Sequence, residues 1–178
     1  MASGDREERA GRLWDGAVVV ALGSNLGGER GSSAALLEGA LGRFSDVGLK
    51  LLKRSSWWRS RAWPDPTQPD YLNGVALVET ALGPEAVLAA LHRLESEFGR
   101  ERSARNAART LDLDLIAHGR RIIDAPAFHL PHQRAAERLF VMGPLAEIAP
   151  GWLHPVLGRT AADLATGATV GADATPLI

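Results

Sequence analysis

A chain of 178 residues, 46% hydrophobic and 23% charged, has the composition of one ordinary folded domain, which excludes a disordered or fibrous chain. Twenty Lys and Arg against 21 Asp and Glu give a formal net charge of -1, so no uniformly basic surface exists to coat nucleic acid or an anionic membrane. With no cysteine, disulfides, thiolate metal sites and cysteine nucleophiles are excluded.

Residues 1–16 are rich in charge and lack the apolar stretch of a secretory signal, which predicts a tail. Ala17 to Leu22 is a β-branched apolar run that stops at Gly23, as a buried strand does, and falls far short of the ~20 residues of a membrane-spanning helix. After GSNLGGERGSS, Leu37, Leu41 and Phe44 recur at helical spacing and predict a helix over 34–44. Leu49–Trp58 and Tyr71–Thr80 read as the second and third strands, and the Pro-rich RAWPDPTQPD between them as a surface loop. Over 84–98 the signals of a helix agree: Pro84 in the first turn, a stripe of Val87, Leu88, Leu91, Leu94 and Phe98, and Gly99 as the stop. An Arg-rich segment, 99–109, leads into the alternating TLDLDLIA of a fourth strand over 110–117, and a third helix is expected over 134–147. The order βαββαβ predicts an α+β, ferredoxin-like antiparallel sheet with helices on one face, plus a C-terminal extension. The expected organisation is a tail over 1–16, one domain over 17–160, and a tail or short helix over 161–178.

The fourth strand carries the densest chemical signal. Alternation puts Asp112 and Asp114 on one face and Leu111, Leu113 and Leu115 on the other. Two adjacent carboxylates repel each other, and a hard cation such as Mg2+ relieves that repulsion while leaving positions for water and phosphate. Taken alone, the pattern also fits an amphipathic strand with an acidic outer face. Arg100, Arg102, Arg105 and Arg109 lie just upstream, so guanidinium forks for phosphate run directly into candidate metal ligands. Tyr71 and Asn73 share a strand face, an aromatic ring and an amide two residues apart that can stack a flat heterocycle and bond its edge. His132, Arg134, Arg138 and Phe140 add an imidazole, two cations and a ring. The GSNLGG stretch lacks the Lys-Ser/Thr of a Walker A loop.

Taken in order, GSNLGG, QPDYLNGVALVET, E-x-E-F-G-R-E-R, RTLDLDLI and LPHQRAAERLFVMGPLAEIAP resemble the 6-hydroxymethyl-7,8-dihydropterin pyrophosphokinase family of folate biosynthesis, over about residues 17–160. The resemblance implies a ferredoxin-like fold and transfer of the β,γ-pyrophosphoryl group of ATP to the pterin hydroxymethyl, with release of AMP and two Mg2+ ions bound. By position it implies Asp112 and Asp114 as magnesium ligands, and Glu95, Arg100, Arg102, Arg109, Leu115, His132 and Arg138 as ATP contacts. Arg100, Arg109 and the two aspartates would form the catalytic group. Tyr71, Asn73 and Phe140 match the pterin site, where two rings sandwich the bicycle and the amide reads its edge. Ser60, Ala62 and Trp63 occupy the pterin-contacting loop without the Thr-Pro-Pro form common there, and His92, Asn106 and Gln133 are further departures from the family pattern. The implied partners are ATP and 6-hydroxymethyl-7,8-dihydropterin, with no nucleic acid and no membrane, for a monomer in the cytoplasm.

Two other classes use similar parts. A two-metal nucleotidyltransferase also sets carboxylates on a sheet, but releases pyrophosphate where a pyrophosphokinase releases AMP. A ferredoxin-like RNA-binding module stacks bases on its sheet, but this sequence has no RNP1-like aromatic run and would turn two aspartates toward the phosphates.

Overall fold

A run of β-branched and small apolar residues suits a strand with neighbours on both edges and cover on both faces, and β1 (Val18–Ser24) is buried along its whole length. The computed structural model describes residues 14–26, 30–99 and 111–177. In it β1 pairs antiparallel with β4 (Tyr71–Glu79) on one side and β5 (Asp112–His118) on the other. Both β2 (Lys50–Arg54) and β3 (Trp58–Ser60) pair with β4, and β8 (Thr175–Pro176) joins the outer edge of β3. The sheet order β5-β1-β4-β3-β8, with β2 beside β4, is the split-βαβ arrangement of a ferredoxin-like α+β fold.

The two helices of that unit lie on one face. α1 (Ser33–Gly42) is capped by the Ser32 hydroxyl, which accepts from the Ala35 N–H at 3.1 Å, and α2 (Pro84–Glu97) starts on proline and ends just before Gly99 at φ 80. Leu36, Leu37 and Leu41 of α1 and Val87, Leu91 and Leu94 of α2 pack on Val18, Val20, Leu22, Leu113 and Leu115. Each such side chain contributes about 1.5–3 kcal/mol on burial. Alternation sends Val19, Ala21, Val75, Leu77 and Ile116 to the opposite face, where α3 (Leu139–Ile148), α4 (Ala161–Gly167) and Trp152 cover them. The helices from α3 onward, with the C-terminal extension supplying α4, therefore form the second layer of the sandwich. No helix among the described residues is long and apolar enough to cross a membrane.

Three elements depart from the sequence expectation. The strand expected over 49–58 divides in two, because the Ser55 hydroxyl accepts the Val75 N–H at 3.0 Å and the ladder register shifts between Leu51 and Lys53. Trp57 and Trp58 can then turn to opposite faces. A Cβ on Gly74 would fall 2.6 Å from the Trp57 ring, and one on Gly143 of α3 would fall 2.6 Å from the Trp58 ring, so each indole lies against a bare backbone. The helix expected over 134–147 starts as a 3-10 turn, Ala135–Glu137, breaks at Arg138, whose backbone is extended, and resumes as α3. A hairpin of β6 (Ile123–Ala125) and β7 (Phe128–Leu130) was not expected, since three-residue strands are too short to show a period.

Candidate active site

One face of the sheet changes character along its strands. Its apolar half, Val19, Ala21, Val75, Leu77 and Ile116, lies beneath α3 and α4. Beyond that cover the same face becomes polar. Directly opposed residues of an antiparallel pair share a face, and the register opposes Gly23 to Asp112 on one side and to Asn73 on the other. Asn73 in turn opposes Trp58, Tyr71 opposes Ser60, and Asp114 opposes Ala21. Asp112, Asp114, Asn73 and Tyr71 thus stand together on one face across three adjacent strands. Strand spacing places the Asn73 and Asp112 backbones about 9–10 Å apart, with Gly23 as the floor between them. A Cβ at Gly23 would already touch Asn73 Oδ1 at 3.5 Å, so glycine keeps this floor low.

The amide of Asn73 is fixed in orientation. Its Nδ2 donates to the Ser60 hydroxyl at 2.9 Å, in a buried pair, which leaves Oδ1 as an acceptor on the Gly23 side. Ala62 is buried, whereas Trp63 is 83% exposed. Phe140 lies in the first turn of α3, half-buried against the core of this face, with the Arg138 guanidinium 5.7 Å from its ring centroid. Asn25, two residues past Gly23 and 3% exposed, donates from Nδ2 to the Pro69 carbonyl at 3.3 Å and ties the end of β1 to the loop before Tyr71. Neither Gly23 nor Asn25 stood out individually in the sequence; their signal was a Gly-x-Asn directly after an apolar strand.

The acidic strand is at the sheet edge, and two of its outer backbone groups are bonded by predicted ATP-side residues. Glu95 of α2 is 2% exposed, and its Oε1 accepts the Leu113 N–H at 2.7 Å, between the two aspartates. The His132 N–H donates to the Ile116 carbonyl at 2.8 Å. Burial and then the Arg138 charge lower the His132 pKa below the ordinary histidine value, Asp112 pulls it the other way, and Arg134 adds to the lowering. His132 Nδ1 accepts the Arg134 N–H at 3.2 Å, so the neutral ring carries its proton on Nε2 as a donor. Leu115 is inside, 4% exposed, packed with α1 and α2. Arg100, Arg102, Arg109 and Asn106 lie outside the described residues, as do residues 27–29 of the Gly-rich stretch.

Asp112 and Asp114 are each half-buried on the open half of the face. Among the described residues no group of three or more His, Cys, Asp or Glu could hold a metal ion. Two carboxylates are nonetheless a fitting donor set for Mg2+, which binds through one or two carboxylates and completes its shell with water and substrate phosphate.

Comparison with known proteins places this geometry in a family. The family model described as 7,8-dihydro-6-hydroxymethylpterin-pyrophosphokinase (HPPK) matches residues 19–150. A 2-amino-4-hydroxy-6-hydroxymethyldihydropteridine pyrophosphokinase of Synechocystis is 42% identical over 144 residues, covering 80% of this chain and 71% of that protein. Proteins of the same name from Pseudomonas aeruginosa and Haemophilus influenzae are both 40% identical, over 75% and 78% of this chain and 80% and 84% of their own lengths. In structure the fold matches wild-type Plasmodium falciparum HPPK-DHPS with SDX-DHP, at a TM-score of 0.62 and 12% identity over 84% of this chain. The chain spans only 43% of that larger one. With most of its length matched by the family model and bacterial relatives matched over most of theirs, the chain belongs to the 7,8-dihydro-6-hydroxymethylpterin-pyrophosphokinase family.

Proposed function

We propose that the chain carries out its family's reaction, transfer of the β,γ-pyrophosphoryl group of ATP to 6-hydroxymethyl-7,8-dihydropterin, on the polar half of the sheet face. Family membership makes it an ATP-dependent pyrophosphokinase of folate biosynthesis. The observation that carries the placement is the register that aligns Asp112, Gly23 and Asn73 across three strands, with Asp114 and Tyr71 on the same face. A carboxylate pair at one end of this row and an amide beside an aromatic ring at the other suit a phosphate chain and a flat heterocycle lying end to end.

The residue roles combine that arrangement with the family resemblance. Tyr71 and Phe140 stack the pterin, Asn73 Oδ1 accepts from an N–H on its edge, and Ser60 holds the amide in that orientation. Ser60, Ala62 and Trp63 bound the pterin side. Asp112 and Asp114 would hold Mg2+, which would supply positive charge to neutralise the phosphates. Arg100, Arg102, Arg109 and Arg138 contact the triphosphate, His132 donates to it from Nε2, and Glu95 and Leu115 fix the strand beneath the nucleotide. The hydroxymethyl oxygen forms a bond to the β-phosphorus, the bond from that phosphorus to the α,β-bridging oxygen breaks, AMP leaves, and the hydroxyl proton is released. Alignment and preorganised charge supply the catalysis, since the loose transition state of phosphoryl transfer asks little of a general base. In this reading the partners are the two small substrates, the enzyme works as a cytoplasmic monomer, and a formal charge of -1 goes with binding neither nucleic acid nor membrane. Steady-state AMP formation in Asp112→Asn and Asp114→Asn tests the placement. Turnover should collapse in both with the circular dichroism spectrum unchanged, and near-normal rates in both would overturn it.

A further inference from the structure

The segment 169–177 makes hydrogen bonds to both parts of the chain that carry the proposed pterin contacts. On one side the N–H groups of Thr169 and Val170 donate to the Glu137 carbonyl at 3.1 and 2.9 Å, and Leu139 N–H donates to the Val170 carbonyl at 2.9 Å. These bonds bracket Arg138 and lead directly into Phe140. Gly171, at φ 66, then passes beneath the Phe140 ring so closely that a Cβ there would fall 2.4 Å from a ring carbon. On the other side the Asp173 carboxylate accepts the Arg61 N–H at 2.7 Å, Thr175 and Pro176 pair with Arg59 and Trp58, and the Leu177 N–H donates to the Trp57 carbonyl at 2.8 Å. Between these anchors the chain turns tightly, Ala174 N–H to Gly171 carbonyl at 2.9 Å, with Ala174 buried.

We propose that this segment is a strap that sets the distance between the 60–62 loop and Phe140, and that Asp173 and Gly171 are positioning residues for the pterin. The proposal rests on the pterin assignment of Ser60, Ala62, Tyr71 and Phe140. Asp173 and Arg61, joined by that bond, line a cleft of about 390 Å³ together with Arg59, Ser60, Asp70 and Thr175, all of them polar or charged. The Arg61 N–H adjoins both Ser60, which orients the Asn73 amide, and buried Ala62, so freeing it loosens that side of the pterin slot. Gly171 sets the other wall, because any side chain there must displace the Phe140 ring.

Separate titrations of a reduced hydroxymethylpterin and of an ATP analogue with Mg2+ on the full chain test the strap. In Asp173→Ala pterin affinity should fall about five- to tenfold, the loss of one charge-assisted bond, while ATP affinity stays within about twofold. Asp173→Asn keeps an acceptor oxygen and should restore most of the pterin affinity. Gly171→Ala should weaken the pterin selectively as well. Wild-type pterin affinity in both Asp173→Ala and Gly171→Ala, or an equal loss for both ligands, overturns the strap. If Phe140→Ala loses pterin affinity while the strap variants do not, only the strap fails. If Phe140→Ala and Tyr71→Ala also bind pterin normally, the pterin site fails, and the strap with it.

Discussion

Glu95 joins fold to chemistry through one hydrogen bond. Its carboxylate, on a side chain 2% exposed, accepts the N–H of Leu113, the residue between the two aspartates of an edge strand. In Glu95→Ala that N–H is left buried with its acceptor removed, at a cost of about 1–3 kcal/mol. For a domain of this length each kcal/mol shifts Tm by about 2–4 °C, so calorimetry should show a fall of about 2–12 °C. Freed at Leu113 while His132 still holds Ile116, the strand can bow at its aspartate end, and Asp112 and Asp114 move with it. The expected kinetic signature is a lower kcat and weaker Mg2+-dependent ATP binding, with pterin affinity kept. Glu95→Gln retains an oxygen facing Leu113 and should recover most of the Tm. A Glu95→Ala protein that melts and turns over like wild type would refute the edge-strand argument. Equal damage in Gln and Ala would show that the acceptor oxygen is not what matters.

Tyr71→Ala and Phe140→Ala should each lose about 1–3 kcal/mol of pterin binding, the range for a stacked base, with ATP titrations unchanged. Gly23→Val should fold but drop kcat/KM by about tenfold or more, since branches beyond a Cβ already 3.5 Å from Asn73 Oδ1 fill the floor between the amide and Asp112; Gly23→Ala should be much milder. His154 is buried, and its Nδ1 accepts the Val156 and Leu157 N–H groups at 3.2 and 3.1 Å. Burial first, then Arg120, lowers its pKa below the ordinary value of 6.5. A depressed histidine pKa means that the native state favours the neutral ring. Its contribution to stability is therefore complete above pH about 6.5 and is lost as pH falls through the lowered value. Denaturant titrations of wild type should show stability falling on acidification below that pH. His154→Asn, whose Oδ1 can stand in for Nδ1, should reduce this slope, and an unchanged slope would contradict the argument. His132 shifts in the same direction and should supply part of the slope that remains.

Much of the fold was legible because its elements are strongly periodic or strongly punctuated. β1 and β4 are continuous apolar runs, and α2 is bounded by a proline and a left-handed glycine, so their ends fall within two residues of the expected ones. The shared face of Asp112 and Asp114 followed from strand alternation alone. The division of 49–58 was not legible, because all five residues of β2 are exposed and give no period, and the cause of the break is a Ser55 bond to a strand twenty residues away. The partnership of Ser60 with Asn73 needed the register of β3 on β4. Likewise, nothing in the Gly/Ala/Thr-rich C-terminal stretch announces that Asp173 grips Arg61 or that Gly171 lies against Phe140. Those contacts are a carboxylate's bond to a backbone N–H and the close approach that a glycine's missing side chain permits, which leave no mark on hydropathy.

The most direct test of the central claim is phosphorus NMR of the products formed from ATP, 6-hydroxymethyl-7,8-dihydropterin and Mg2+. The account predicts AMP and a pterin diphosphate in equal amounts, with both phosphorus atoms of the pterin product coming from the β and γ positions of ATP. Inorganic pyrophosphate accompanied by a nucleotidyl product, or ADP with a pterin monophosphate, would contradict it.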